Sequence, residues 1–379
     1  MHHAPGRGSK GPRPFRAPAR MGRGNLARLA AACLSLTIAL SGSPALGSRT
    51  FVGSVASQGG PGLAEALLAA APGDSLLLLP GLYKGSFTLR RGVSLIGIAG
   101  PDSTILDADG GRYVLFGRGL DSTTVICGLT LRNGKRDHAN SGGGGIYLYG
   151  SSPVIANNVF HGHLGYLGAG LYCNYGSHPV AAFNRFHDNE GYLGGAIAAY
   201  VDCSPLVYNN IITRNRAVSG GGVMLLNAAA VILGNTILGN SAADSGGAAV
   251  YCNASPALIE GNVMAHHESG PAVYWLSGEA PATLRRNVVW GTGGSHGGAC
   301  PAFVGRDGNC EEDPKYVDWA SGDLRSLPPA SGASAECLAH AGASAWDPLR
   351  PPAVPDSVLG VWRRWRAEHP PAASAARRP

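Results

Sequence analysis

The chain has 379 residues, 57 of them glycine, and a formal net charge of +6. Charged residues make up only 14% and apolar residues 45%, which argues against a disordered chain; no Gly-X-Y period is present, which excludes collagen. The positive charge sits at the ends. Residues 1–47 hold seven Lys or Arg and no acid, and residues 350–379 hold six Arg against Asp356 and Glu368. The body between them has more acids than bases and lacks the basic footprint of a nucleic-acid binder.

In chain order, Arg20, Arg23 and Arg28 precede an apolar stretch from Leu29 to Leu40, and a small-residue site comes next at Ala45-Leu46-Gly47. This predicts an export signal over residues 1–47, cleaved before Ser48, with Met21 as an alternative start. The apolar run is too short for a membrane span. The mature chain is therefore expected to be secreted (extracellular, periplasmic or at the cell surface), where disulfides can form. The run PGLAEALLAAAPG (61–73) opens with Pro and stops at Pro-Gly, which predicts a short helix placed to cover the first coil. Strands are expected at 75–79, 86–89, 93–98 and 103–108, so residues 48–111 form an N-terminal cap and the first coils.

The next region, 112–299, is repetitive. Pro153, Pro179, Pro205, Ala230, Pro256 and Pro281 recur every 25 or 26 residues. Each unit reads as an apolar strand, an Asn, a second short strand, another Asn or His, a Gly-Gly pair and a third strand. The first column is Asn158, Asn184, Asn210, Asn235, Asn262 and Asn287. The second is His163, Asn189, Asn215, Asn240 and His267, with Asn133 supplied by an earlier, irregular coil. Three short strands per unit leave no room for a helix, and the fixed leucines of a leucine-rich repeat are absent. The pattern predicts stacked coils paired in parallel about 4.8 Å apart. Corner asparagines would bond the Asn one coil on and tolerate the left-handed backbone. Phe160, Phe186, Ile212, Ile237, Met264 and Val289 would stack inside.

The run PGDSLLLLPGLYKGSFTLRRGVSLIGIAGPDSTILDA (72–108), with the SxP…NN and N…GG coils after it, resembles right-handed parallel β-helix proteins of the pectate-lyase-like superfamily. FHDN (186–189) with GGAI (194–197) also resembles repeats of polymorphic outer-membrane proteins. DPKYVDWASGDLRSLPPASGASAEC (313–337) looks like the closing segment of secreted β-helix proteins. The resemblance covers roughly residues 51–349. It implies an all-β, three-sheet right-handed β-helix with a capping helix, and a C-terminal cap over 300–349. It also implies acidic polysaccharide as the usual ligand class, with Ca²⁺ as the ion a lyase would take.

The best-known catalytic patterns of that superfamily are missing. The chain has no Asn-Thr-Asp, no Asp-Asp pair, no Arg-Ile-Lys and no Arg-x-Pro-x-x-Arg. Two places remain. The insertion RNGKRDHANSGGGG (132–145) gathers Lys135, Arg136, Asp137 and His138, where a base and a cation-holding acid could sit. The near-duplicates HGHLGYLGAG (161–170) and HDNEGYLGGA (187–196) place His161 over His187 and Tyr166 over Tyr192, with Asp188 beside Arg214 and Glu190 beside Arg216. Stacked rings flanked by ion pairs suit a sugar platform, and His187 is a further candidate base. Zinc binding by His161, His163 and His187 is not expected, because the ladder turns His163 inward.

Cys300, Cys310 and Cys337 are the disulfide candidates, with Cys300–Cys310 favoured and Cys337 joining either one as the alternative. Cys173, Cys203 and Cys252 stand at different offsets from their anchors and read as buried thiols. The basic tail, 350–379, contains DSVLGVWRRWRAEH (356–369). Its Val358, Val361, Trp362 and Trp365 share one helical face that could dock on the last coil or reach the cell envelope. The expectation is a monomeric surface or secreted protein that contacts extracellular polysaccharide through its elongated face. A polysaccharide lyase, ahead of a glycoside hydrolase, is the alternative, and an adhesin-like protein binder the third reading. No metal site and no certain cofactor are predicted.

Overall fold

The computed structural model describes residues 47–54, 62–135, 142–243, 246–277, 283–319, 323–326 and 354–370. The expected export signal, apart from Gly47, lies outside them. Short parallel strands stack into three sheets of ten, ten and nine strands. One coil runs Val154–Ala156 in sheet 1, Val159–His161 in sheet 2 and Leu171–Asn174 in sheet 3. The next repeats it at Val180–Ala182, Arg185–His187 and Ile197–Tyr200. Register is strict: Val154 pairs with Val180, Phe160 with Phe186 and Leu171 with Ile197. Alternation along each strand sends Phe160 and its column inward, where all six members are buried. The rings of Phe160 and Phe186 stack 4.4 Å apart, and each such burial contributes roughly 1.5–3 kcal/mol.

The first asparagine column is a continuous ladder. In each coil the Asn main-chain N–H and Nδ2 both donate to the Oδ1 of the Asn one coil on, from Asn158 to Asn184 (3.0 and 3.1 Å) through to Asn262 and Asn287 (3.0 and 3.0 Å). It ends one coil later than predicted, at Asn309, which accepts from Asn287 at 3.0 and 2.9 Å. The left-handed residue is not the ladder Asn, as expected from sequence, but the one before it: Asn157, Phe183, Asn209 and Arg286 have φ of 55°, 57°, 53° and 55°. That residue makes the turn, which leaves the ladder amide free to point inward.

The second column holds too, with one correction. Asn133 falls in the left-handed position (φ 59°) and its Nδ2 donates to both carboxylate oxygens of Asp107. The main-chain N–H of Gly134 meets His163 Nδ1 instead, at 3.1 Å. A third polar column, not read from sequence, lines the corner between sheets 3 and 1. There the Ser151 N–H donates to Ser177 Oγ (3.0 Å) and the Ser177 N–H to Cys203 Sγ (3.3 Å). The glycine pair before sheet 3 reflects close backbone approach: a Cβ on Gly170 would sit 2.7 Å from the Ala196 carbonyl and 2.9 Å from the Phe186 ring.

Both ends of the core are closed. Helix α1 (Leu63–Ala69) buries Leu63, Ala66 and Leu67 against the first coils, as its punctuation predicted. At the other end Phe303 and Cys300 enter the same interior cluster. Helix α2 (Asp356–Glu368) does dock, but on the outer face of sheet 1 rather than on the last coil. Leu359, Trp362 and Trp365 pack with Val154, Val180 and Leu206, and Trp362 Nε1 donates to the Ser204 carbonyl at 2.9 Å. A small antiparallel pair, Tyr316–Asp318 with Asp323–Ser326, brings Tyr316, Trp319 and Leu324 onto Leu238, Val263, Ala265 and Val288 on the outside of sheet 2.

The favoured disulfide does not form. Cys300 is a free, buried thiol inside the coil, while Cys310 packs with the cluster outside sheet 2, so the sheet wall separates them. Cys337 lies outside the described residues. Cys173 and Cys252 share the inward column of sheet 3 through Ala199 and Leu225, contrary to the offset argument.

Candidate functional site

The outward positions of sheet 2 line up from Lys84 through Asp107, Arg132, His161 and His187 to Thr213. Asp107, only 4% exposed, accepts from Arg132 Nε at 2.7 Å. Burial works to raise its pKa, but hydrogen bonds from the Asp109 main chain, Asn133 and Arg132 outweigh it and hold the carboxylate below its usual range. Next in line, the His161 and His187 rings stack 5.2 Å apart and 2° from parallel.

His187 Nδ1 lies 2.7 Å from Asp188 Oδ2. Asp188 in turn takes a two-pronged contact from Arg214, Nε to Oδ1 and Nη2 to Oδ2, both 2.9 Å. Burial would raise the Asp188 pKa, yet the hydrogen bonds from Arg214 and His187 bring it down to about 2. The His187 pKa is lowered by burial, with Asp188 opposing, and that of His161 by burial and the neighbouring imidazole. At neutral pH His187 is thus a neutral imidazole whose Nδ1–H is committed to a fixed carboxylate. Its Nε2 lone pair is left to act as a base or acceptor.

Between sheets 2 and 3 the chain makes an extra ledge, Leu164–Leu167 paired in parallel with Glu190–Leu193. It carries the second predicted ring pair, Tyr166 and Tyr192, 4.8 Å apart and 12° from parallel. Tyr166 leans toward sheet 3, packing with Leu167, Tyr172, Ala198 and Met224. The histidine pair therefore belongs to sheet 2 and Tyr166 to the sheet 3 side of the ledge. Glu190 and Arg216 are register neighbours as expected, but the Arg216 guanidinium reaches Glu268 at 3.6 Å instead. An exposed arginine has several acids in reach, and register alone does not choose among them.

Lys135 is exposed, with its main chain paired to Leu164 in the ledge rather than to the His187 row. Arg136, Asp137 and His138 lie outside the described residues. Among the described residues no three His, Cys, Asp or Glu side chains gather as a metal ion would require, and no helix is long and apolar enough to cross a membrane. A cleft of about 740 Å³ at the last coil, lined by Arg285, Arg286, Arg306 and Phe303, is remote from these groups. Glu260 already binds two of its arginines, at 2.9 and 3.2 Å.

Sequence reasoning missed the tyrosines of sheet 3. Of the chain's 13 tyrosines, eight lie in that sheet or its flanking turns, while Tyr166 and Tyr192 lie in the ledge and Tyr83, Tyr208 and Tyr316 elsewhere. The signal was present in IYLY (146–149), LYCN (171–174) and VYCN (250–253), where every second residue must face outward.

The coil architecture is that of a parallel β-helix, and residues 122–290 match the family described as "Right handed beta helix region". Among solved structures it is similar to pectin methylesterase PemA from Erwinia chrysanthemi, at 12% identity and a TM-score of 0.39, covering 75% of this chain and 100% of that one. It is similar to pectate lyase Pel9A at 14% identity and a TM-score of 0.35, covering 77% and 90%. It is also similar to the A-module of mannuronan C-5 epimerase AlgE4 from Azotobacter vinelandii, at 13% identity and a TM-score of 0.31, covering 66% and 94%. No curated protein sequence matches.

Proposed function

We propose that this chain is a secreted or cell-surface β-helix protein that holds extracellular polysaccharide against its long face. The supporting observation is the pair of ring stacks one coil apart, His161 on His187 and Tyr166 on Tyr192, with the Asp188–Arg214 pair beside them. Flat rings offer the apolar faces that pyranose C–H groups pack against, and the carboxylate and imidazole offer fixed partners for hydroxyls. Retention of the purified mature chain on immobilised polysaccharides tests it. Retention is expected for the wild type and loss for Tyr192→Ala and His187→Ala. A wild type that passes unretarded through every polymer would defeat the reading.

A second reading rests on one contact, the hydrogen bond that orients His187 toward Asp188. A neutral imidazole so oriented can take a proton from a bound sugar. The same polymers, incubated with and without Ca²⁺ and monitored for unsaturated products and reducing ends, decide it. Product formation abolished by His187→Ala makes the protein an enzyme; absence of product leaves a binding module.

A further inference from the structure

We infer that the C-terminal end of the solenoid carries a strand-addition site for an extended acidic peptide of a partner protein, at the notch where sheet 1 stops short. The coil that holds Thr283–Arg285, Val288–Trp290 and His296–Gly298 is followed by Cys310–Glu311 in sheet 2. Among the described residues sheet 1 ends at Thr283–Arg285, so this further coil has no strand there. After His296–Gly298 the chain turns instead of re-entering sheet 1. The Arg306 N–H donates to the Phe303 carbonyl at 3.1 Å and the Asn309 N–H to the Arg306 carbonyl at 2.8 Å. Coil pairing resumes at Asp307, whose carbonyl accepts from the Arg286 N–H at 3.0 Å. The cleft of about 740 Å³ between Thr283–Arg285 and this loop is the place of one missing strand.

Backbone and side chains together select the ligand. The Arg286 N–H points along the axis to Asp307, and main-chain direction alternates along a strand, so the Leu284 N–H points the same way, into the cleft. The Leu284 carbonyl accepts from Asn309 Nδ2 at 2.9 Å and keeps a second lone pair. A donor and an acceptor on one residue are what an added parallel strand engages. Side chains of that strand alternate. The one over Leu284 faces the interior cluster that Leu284 and Phe303 share, which asks for an apolar residue. Those over Thr283 and Arg285 face outward. There Arg285 and Arg286 share Glu260, at 2.9 and 3.2 Å, and the exposed Arg306 makes no ion pair among the described residues. Three cations thus face Glu260 and Asp307. Glu260 and Arg285 already alternate in sign along the outward row, and an acid on the added strand continues it. The pattern is acidic, apolar, acidic on an extended backbone.

The test is fluorescence anisotropy of a dye-labelled Gly-Glu-Val-Glu-Gly amide titrated with the mature chain. Three controls go beside it: the Lys-Val-Lys analogue, the Glu-Glu-Val isomer of equal charge, and the parent peptide N-methylated at its second Glu, the residue whose N–H would reach the Leu284 carbonyl. The parent is expected to bind at least tenfold more tightly than each control. Arg306→Glu should weaken it tenfold or more, and because Arg306 is exposed the thermal unfolding curve should not change. Equal binding of the isomer or of the N-methylated peptide would make the cleft a plain anion site and overturn the inference. Wild-type affinity in Arg306→Glu overturns it as well, as does a parent peptide that fails to bind at about 1 mM.

Discussion

His163 and Asn189 form a mixed rung in a ladder that has asparagine at its middle coils and histidine at both ends: the His163 main-chain N–H donates to Asn189 Oδ1 at 3.2 Å. The imidazole does for the coil above what an amide would. Its Nδ1 accepts from the Gly134 N–H at 3.1 Å, and its Nε2 donates to the Leu131 carbonyl at 2.9 Å. Accepting at Nδ1 requires the neutral ring, and burial pushes its pKa down to about 3. His267, at the far end of the column, is likewise brought to about 3. Between pH 6.5 and 3 the unfolded chain therefore binds more protons than the folded one. Stability is complete above pH 6.5 and drops as pH falls, by about 1.4 kcal/mol per pH unit for each histidine. Chemical unfolding from pH 8 to 4 should show this slope, and His163→Asn should reduce it while keeping the rung. His163→Ala, which strands the Gly134 N–H, should cost about 1–3 kcal/mol at neutral pH.

The third corner leads to a thiol prediction. Cys203 Sγ accepts from the Ser177 N–H and donates to the Tyr200 carbonyl at 3.0 Å, the part that Ser177 Oγ plays one coil earlier toward Ser151 and Asn174. Burial pushes the thiol up to about 12, so it stays protonated and inert. Cys203→Ser should match or exceed the wild type in melting temperature, because oxygen is the stronger acceptor. Cys203→Ala should lose about 1–3 kcal/mol by leaving a buried N–H unpaired. Equal stability of the Ser and Ala variants would mean that the contact contributes nothing.

Legible in the sequence was whatever recurs as one residue type at one offset. Asn158 to Asn287 and the Phe160 column recur so, and their inward positions are a direct consequence. The third column was illegible because its occupants change, from Ser151 and Ser177 to Cys203, and a hydrogen-bond acceptor leaves no single-letter trace. The docking surface for α2 was half legible. Runs such as VIA (154–156) and VAA (180–182) are apolar on both faces, which marks a sheet covered outside as well as in, but the tail pattern names no receiving face. The site was read best where backbone register fixes the neighbours. His161–His187 and Tyr166–Tyr192 come from pairing alone, whereas Arg216 chose Glu268 over Glu190 because long exposed side chains search beyond their register partners.

The same corner holds a column of left-handed residues: Gly150, Tyr175, Val201, Asn227 and Ala254, with φ of 54°, 45°, 44°, 50° and 46°. Only the glycine and the asparagine suit it. A β-branched residue there is strained, because Cβ crowds its own carbonyl at a cost of roughly 1–2 kcal/mol. Val201→Asn should therefore raise stability by about 1 kcal/mol, and Asn227→Val should lower it by a similar amount. Thermal unfolding of the two single variants checks both signs, and a fall with Val201→Asn would show that the valine side chain makes contacts worth more than its strain.

Trp362 anchors α2 through two kinds of contact at once, its ring in the apolar stripe of sheet 1 and its Nε1–H on the Ser204 carbonyl. The helix has little reason to persist alone. It is 13 residues long, near the lower limit for an isolated helix in water, and Gly360 sits inside it. Removing the anchor should therefore release the segment as a unit rather than loosen one side chain. Trp362→Ala is expected to expose Val154, Val180 and Leu206 and to forfeit about 3–5 kcal/mol of docking energy. Cleavage at Arg363 and Arg364 by a trypsin-like protease should become much faster, with an environment-sensitive apolar dye binding the bared stripe. The coil core should still melt cooperatively, because its ladders and stacks do not pass through α2. Wild-type resistance to cleavage in Trp362→Ala would place the anchor elsewhere in the same stripe, at Trp365 or Leu359.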